Sequence, residues 1–345
     1  MEVFAMVTVA VDAMGGDYAP DEIIQGCLDA LKKNNEVSIK LVGKQDIINK
    51  VIGERAPGKD DYDKNRLSIV DASEIITNEE PPVAAVRSKK DSSIVLAMNL
   101  LKNNEADAVI SAGSTGALLV GGQLIAGRIK GVHRAPLAPL LPTACGVSLL
   151  IDCGANVDAR PEHLIQFARI GSIYMEKMLG VNSPKVAIVN IGAEEEKGNA
   201  LVKETFPLLK SCSDINFIGS IEAREIPRGG ADVIVCEAFT GNVILKLYEG
   251  VGATLLEKIK GAFNEGFLTK IGALLVKNSL KKTLKDFDAS NYGGAPLLGL
   301  KGLVVKVHGN SKANEVSNAI AQCIDFKKSG LNELIKESME NNWSR

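Results

Sequence analysis

The feature that most constrains this 345-residue chain is a recurring unit: a short β-branched run, a few small or polar residues, then a helical pattern. The clearest runs are Val7–Val11, Val37–Val42, Leu67–Val70, Ala108–Ser111, Val147–Ile151, Val186–Ile191, Ile215–Ile218, Val233–Cys236 and Leu303–Val307. Several are apolar without alternation, as strands are when helices cover both faces of a sheet. Between them, Ile23, Ile24, Cys27, Leu28 and Leu31 share one helical face, and further helical patterns cover 84–103, 115–129, 161–179, 198–210 and 312–328. This alternation predicts a three-layer α/β/α, Rossmann-like fold with a mostly parallel sheet. It is expected as a single α/β domain over residues 1–345, with a strand order that the pattern does not reveal.

Two stretches break the rhythm. The segment 72–90 is polar and carries Pro81-Pro82, then Arg87, Lys89 and Lys90, which predicts a long crossing loop into a helix. The stretch from about 243 to 287 holds no strand, is punctuated by Gly250, Gly252, Gly261 and Gly266, and is too long for a simple crossover. It predicts a projecting helical hairpin.

Composition narrows the function. With 40 basic and 42 acidic side chains the formal net charge is -2, so the chain as a whole does not neutralise many phosphates, and no nucleic-acid partner is expected. The six cysteines are scattered without a CxxC pair, which predicts reduced thiols. The three histidines have no metal-pair spacing, so no metal site is expected. Residues 1–6 lead into a strand pattern without a basic region or cleavage signal, so no secretory leader is expected. No run of eighteen apolar residues predicts a membrane span.

Parallel sheets carry ligand loops at the carboxyl ends of their strands, where following helices present free N–H groups. Four strand ends here have that character. One carries Asp12, Gly15 and Gly16. A second carries Gly113, Ser114, Thr115 and Gly116, with Ser114 or Thr115 able to cap the helix. The third runs from Asp152 through Gly154 and Asn156 to Asp158, and the fourth is His308-Gly309-Asn310-Ser311. Each alone reads first as an ordinary strand-to-helix turn; the four together point weakly to a phosphate-bearing ligand. The GxGxxG and GxxxxGK fingerprints are absent, which argues against a dinucleotide dehydrogenase and a nucleoside triphosphatase. There is no GxSxG elbow and no evident Cys–His pair, which favours a bound small molecule as nucleophile.

Two later polar clusters, 192–199 and 237–243, leave their chemistry open. Lys197 lies where a helix begins and a cation is mildly unfavourable; either a bound anion or a pair with Glu194 would relieve this. Asn242 is either a helix-capping residue or a functional amide.

Taken in order, these motifs resemble the bacterial phosphate acyltransferases that act on acyl-acyl carrier protein. The resemblance runs through Val11–Asp17, Ala72-Ser73-Glu74, the basic segment 85–93, Ser111–Ala117, Leu140–Thr143, Gly154–Asp158, Lys197-Gly198-Asn199, Phe239–Val243, Asn291–Leu297 and His308–Ser311. It covers nearly all of residues 7–330. It implies a phosphotransacetylase-like fold and the conversion of acyl-acyl carrier protein and inorganic phosphate to acyl phosphate and free carrier, feeding phosphatidic acid and phospholipid synthesis. It also implies no metal or nucleotide, a homodimer, and a cytoplasmic protein associated peripherally with the membrane. By motif match the family's catalytic lysine and asparagine fall on Lys197 and Asn242. The loop residues Asp12, Gly15, Gly16, Gly113, Ser114, Thr115, Gly116, Asn156, Thr240, His308 and Ser311 become the expected phosphate- and acyl-binding set.

Three positions depart from the family pattern: Ser114 stands where Asn is common, Tyr18 where His is common, and Glu237-Ala238 where Asp-Gly is common. Ser114 keeps a donor and an acceptor. Tyr18 cannot act as a base near neutral pH. Ala238 implies a backbone that does not need positive φ.

Arg87, Lys89 and Lys90 are the expected docking charges for an acidic carrier protein, or else a solvated helix face. In the hairpin, Phe267, Ile271, Leu274 and Leu275 form one stripe and Val276, Leu280, Leu284 and Phe287 a second, with Lys277, Lys281 and Lys285 beside it and Lys270 and Lys282 nearby. Such a segment can dock on an anionic bilayer, with Leu268, Lys270 and Lys277 as contacts, or pack against a second subunit. Since acyl phosphate is reactive, a membrane glycerol-3-phosphate acyltransferase is a further implied partner. The competing readings are a phosphotransacetylase acting on acyl-coenzyme A and a non-enzymatic nucleotide-binding module.

Overall fold

The computed structural model describes residues 6–56, 58, 62–286 and 292–341, with the side chains of 281–286 and 341 excepted. Phe287 and Asn291, and the side chains of Leu284, Lys281, Lys282 and Lys285, therefore lie outside the described residues.

The first half of the chain alternates as its sequence predicts: β1 (Val7–Asp12), α1 (Asp21–Lys33), β2 (Val37–Gly43), α2 (Gln45–Arg55), β3 (Leu67–Asp71), α3 (Pro82–Ser88), α4 (Ser93–Lys102), β4 (Ala108–Ser111) and α5 (Thr115–Gly121). A single π-type turn, Gly122–Ala126, continues α5. Then come β5 (Leu140–Thr143), β6 (Gly146–Ile151), α6 (Pro161–Leu179), β7 (Lys185–Val189), α7 (Ala200–Ser211), β8 (Asn216–Ile221) and β9 (Val233–Val235). The long helices α8 (Ala238–Asn264) and α9 (Phe267–Asp286) precede β10 (Ala295–Leu297), β11 (Leu303–Lys306), α10 (Ala313–Ser329) and α11 (Leu331–Asn341).

The strands form two sheets, one of six in the order β10-β11-β4-β1-β2-β3 and one of five in the order β5-β6-β9-β7-β8. Every pairing is parallel except those of the edge strands β10 and β5. Those two are the strands the sequence did not reveal. Each is short and contains a proline, Pro296 or Pro142, which cannot donate to a ladder and is confined to sheet margins. The expected helix over 84–103 is two helices, because the backbone of Lys89–Ser92 leaves the helix and Ser73 and Glu74 bond Asp91 instead.

Alternate residues on the strands feed opposite faces. Val9, Ile39, Ile110 and Val305 pack with α1, α6 and α10 in a core that continues to Leu149, Val186 and Val233 of the second sheet. Ala10, Val42, Val109 and Val304 face Met98 of α4 and Leu118 of α5. Leu150, Ala187 and Ile234 face Ile226 and the start of α8. Gly26, in the middle of α1, is there for contact: a Cβ would lie 2.5 Å from the Ala313 carbonyl and 2.6 Å from Val316 of α10. The helix accepts a residue costing about 1 kcal/mol in propensity so that α10 can approach.

The hairpin begins earlier than the sequence suggested, at Ala238, and turns at Glu265–Gly266. At about 1.5 Å per residue, the 27 residues of α8 reach roughly 40 Å. Only Ala238 and Gly241 of α8 are buried. Phe239, Val243, Leu247, Val251 and Leu255 form an exposed apolar stripe at four-residue spacing along it, a pattern the sequence reading had not singled out. On α9, Phe267, Leu268, Leu274 and Leu275 are exposed, as are Lys270 and Lys277.

Candidate active site

Strands β11, β4 and β1 lie side by side, so their three carboxyl-terminal loops meet. Asp12 is buried and accepts from Ser111 Oγ at 2.7 Å, and Ser111 Oγ accepts in turn from the Gly113 amide at 3.0 Å. The two loops touch directly: a Cβ on Gly15 would lie 2.7 Å from the Gly113 nitrogen, so no side chain fits there. Gly16, at φ 110°, places Asp17 so that its amide donates to the Gly309 carbonyl at 2.7 Å. Asp12, Gly15, Gly16, Gly113, His308 and Ser311 thus belong to one loop cluster.

Two of the expected anion donors have other employment. The Gly113 amide is taken by Ser111, leaving the amides of Thr115 and Gly116, which open α5 and have no acceptor within the helix. Gly116 owes its lack of a side chain to packing, since a Cβ there would lie 2.4 Å from the Pro82 ring of α3. Ser114 does cap α5, accepting from the Ala117 amide at 3.4 Å.

Beneath this cluster lies Lys306, the last residue of β11, which the sequence reading overlooked. It is register partner to Ser111. Its ammonium donates to the Ala112 carbonyl at 3.0 Å and to that of Val307. Burial pulls it down to about 8, Asp12 and Asp17 opposing the shift and Lys246 of α8 adding to it. The signal was a lysine closing an otherwise apolar strand, Leu303–Lys306.

The second sheet supplies the other side chains. The adjacent strands β6 and β9 lead into Asp152 and into the start of α8. Glu237 caps α8, accepting from the amides of Phe239 and Thr240 and from the Thr240 hydroxyl. The expected binding hydroxyl of Thr240 is therefore engaged in the cap. Ala238 has ordinary helical backbone, as its lack of a glycine implied; among the described residues only Asn104 and Ser183 are non-glycines with positive φ. Asn242 Oδ1 stands over Gly154, 3.9 Å from where a Cβ would be. Asn156 is buried and donates its amide group to Asp152 at 2.7 Å and to the Ala135 carbonyl at 3.0 Å, which makes it a brace for the Asp152–Asn156 loop.

Helix α8 bridges the two loop clusters. It starts at Asn156, whose carbonyl accepts from the Ala238 amide at 3.2 Å, and reaches His308 through Glu249, 3.9 Å from Nε2. Lys246 lies 3.5 Å from the same Glu249.

Lys197 lies on the loop after β7, two strands from β6 in the same sheet. It is exposed and forms an ion pair with Glu194 at 2.8 Å, the alternative that the sequence left open. That bond holds the ammonium above its ordinary value, so Lys197 is a cation rather than a base at neutral pH. Of the expected docking charges, Lys89 is committed to Glu80 at 2.8 Å and to the Ile75 carbonyl, whereas Arg87 and Lys90 are exposed. Tyr18 lies at the mouth of the first cluster with the Lys312 ammonium 3.1 Å from its ring centroid, a cation–π contact. Among the described residues no group of His, Cys, Asp or Glu is placed to hold a metal ion, and no helix is long and apolar enough to cross a membrane.

Comparison with known proteins shows the family and the fold. Residues 7–334 match the family described as "Fatty acid synthesis protein". A phosphate acyltransferase of Clostridium novyi is 48% identical over 332 residues, covering 96% of this chain and 98% of its own length. One from Alkaliphilus oremlandii is 50% identical over 331 residues, with 96% and 97% covered. A solved phosphotransacetylase of Streptococcus pyogenes has the same fold at a TM-score of 0.61, 16% identity and coverage of 95% and 94%. The sequence relatives place the chain in the acyl-transferring class of enzymes. The chain belongs to the family of bacterial phosphate acyltransferases.

Asp152 is the keystone of the second cluster. Its carboxylate accepts from the amides of Leu137, Cys153, Ala155 and Asn156 and from the Asn156 side chain. Burial pushes it up to about 6, still below neutral pH. The folded state thus holds the proton more tightly than the unfolded one, so this group's stabilising contribution is full below about pH 4 and lost as pH rises through about 6. Asp152→Asn puts an NH2 group among these donors and is expected to destabilise the protein by about 1–3 kcal/mol at pH 7. Urea unfolding checks this; an unchanged midpoint contradicts it.

Proposed function

We propose that this enzyme joins inorganic phosphate to the acyl group of acyl-acyl carrier protein, giving acyl phosphate and free carrier for phospholipid synthesis. The observation that carries the reading is the meeting of the glycine-lined loops after β1, β4 and β11, bridged by α8 to the loop cluster that holds Asn242. The helical start at Thr115 and Gly116 offers amides to a phosphate, and Lys306 beneath it offers charge. In the proposed step a phosphate oxygen attacks the thioester carbonyl carbon, the C–S bond breaks, and the thiolate leaves to take up a proton. Phosphate is already anionic at neutral pH, so no strong base is needed. Asn242 donates to the developing oxyanion or orients the phosphate, and Lys197 supplies positive charge after releasing Glu194. Thr240, Asn156, His308 and Ser311 frame the site.

The residues 1–345 act as one domain in this proposal, with α8 and α9 as its extension. The exposed stripe Phe239–Leu255 supports a homodimer formed by a second copy of the chain. Cytoplasmic residence with peripheral contact to anionic lipid, through Leu268, Lys270 and Lys277 on α9, would bring acyl phosphate to a membrane glycerol-3-phosphate acyltransferase. The second reading, an acyl-coenzyme A phosphotransacetylase, is favoured by the fold likeness alone.

Purified protein supplied with long-chain acyl-carrier protein and phosphate is expected to yield hydroxylamine-trappable acyl phosphate, whereas a preference for acyl-coenzyme A would favour the second reading. Lys197→Ala and Asn242→Ala should each lower kcat about a hundred-fold, the scale of a lost transition-state contact, with unfolding little changed. Near-normal turnover at saturating phosphate removes that residue from the mechanism. Reversing Arg87 and Lys90 to Glu should raise KM for acyl-carrier protein at low salt and leave phosphate KM alone; an unchanged carrier KM refutes the docking role. Replacing Leu268 and Lys270 with Asp should abolish co-sedimentation with anionic vesicles while the dimer mass stays the same. Equal sedimentation excludes these two as the lipid contact, and loss of the dimer makes them interface residues instead.

A further inference from the structure

Lys306 is the one charged residue of β11, and its surroundings are specific. Lys306, Ser111 and Asp12 close three neighbouring parallel strands. Asp12 fixes the β4–α5 loop from one side through Ser111 Oγ, and the Lys306 ammonium fixes it from the other through the Ala112 carbonyl. The loop is thus held at two successive residues, immediately before the Gly113–Gly116 segment. A neutral side chain of similar length would leave the Ala112 carbonyl without its charged donor.

We propose that Lys306 is a positioning residue for phosphate, acting through Ala112 to hold the β4–α5 loop and placing its charge beneath the anion. This rests on the reading of that loop as the phosphate site. The groups that face the ammonium are Asp12 at the end of β1, Asp17 before α1, Lys246 of α8, and the carbonyls of Ala112 and Val307. Asp12 and Asp17 favour the charged form while burial and Lys246 oppose it. The balance lets the ammonium lose its proton near pH 8. Phosphate is by then mostly dianionic, so its own titration contributes little to a change that continues above about pH 8.

The test uses the full-length enzyme with inorganic phosphate as the varied substrate. Lys306→Met is expected to raise phosphate KM by about tenfold or more, the scale of a hydrogen bond to a charged group, while KM for the acyl donor moves less than about twofold. Wild-type phosphate KM should rise as pH passes from about 7.5 to about 9.5, and Lys306→Arg, which keeps its charge throughout, should flatten that rise. A flat wild-type profile overturns the proposal even if Lys306→Met fails to fold. So does an unchanged phosphate KM in Lys306→Met, or equal impairment of both substrates in both variants. Phosphate-dependent thermal stabilisation, which needs no turnover, separates this idea from the reading beneath it. If the wild type makes no acyl phosphate but phosphate stabilises it and not Lys306→Met, the loop role stands and the reaction assignment falls. If turnover is as proposed and Lys306→Met is stabilised like the wild type, the role of Lys306 falls alone.

Discussion

The buried hydrogen bond between Asp12 and Ser111 is the contact on which the first half of the site depends. It joins the ends of two adjacent parallel strands whose following helices leave on different paths. A carboxylate at the end of a central strand is expensive to bury without partners. Here the Ser111 hydroxyl and the Met14 amide supply them, with Lys306 nearby as counter-charge. Because Ser111 also takes the Gly113 amide, one hydrogen-bonded chain sets the course of the loop that opens α5. Gly15 and Gly113 then let the two loops touch.

The second sheet repeats this solution with different residues. Asp152 at the end of β6 gathers four amides and the Asn156 side chain, and so fixes the turn over which Asn242 stands. Each sheet therefore presents a loop organised around one strand-terminal aspartate. Helix α8 connects them, rising from β9 beside Asp152 and passing Lys246 and Glu249 by the loop that carries Lys306 and His308. The proposed attack of phosphate on a thioester would draw on this arrangement, since proximity and orientation supply much of the acceleration in a direct transfer.

Much of this was legible in the sequence, for identifiable reasons. Several of the nine strands that could be read are continuous apolar runs, and buried parallel strands leave that mark. Pro142 and Pro296 disguised β5 and β10, because proline reads as a strand breaker unless the strand is known to be at an edge. The loops Asp12–Gly16 and Gly113–Gly116 were visible through their glycines. Which amides stay available was not, because Gly113 answers to Ser111 and Gly116 to Pro82, partners fixed only by the fold. Lys306 was hidden by its company, since nothing local distinguishes a strand-ending lysine that snorkels to water from one that turns inward to a carbonyl. Lys89 failed in the opposite direction: it read as a free surface charge and is spent on Glu80 and the Ile75 carbonyl.

The central claim is that phosphate itself attacks the thioester, with the protein supplying loops, charge and an amide but no nucleophile. Carrier exchange tests this most directly. Enzyme is mixed with acyl-carrier protein and isotopically labelled free carrier in the absence of phosphate, and label is sought in the acyl-carrier pool. Direct attack predicts no exchange until phosphate is added and acyl phosphate forms. Rapid exchange without phosphate, with acyl group trapped on the protein, would require an acyl-enzyme intermediate and would contradict the account.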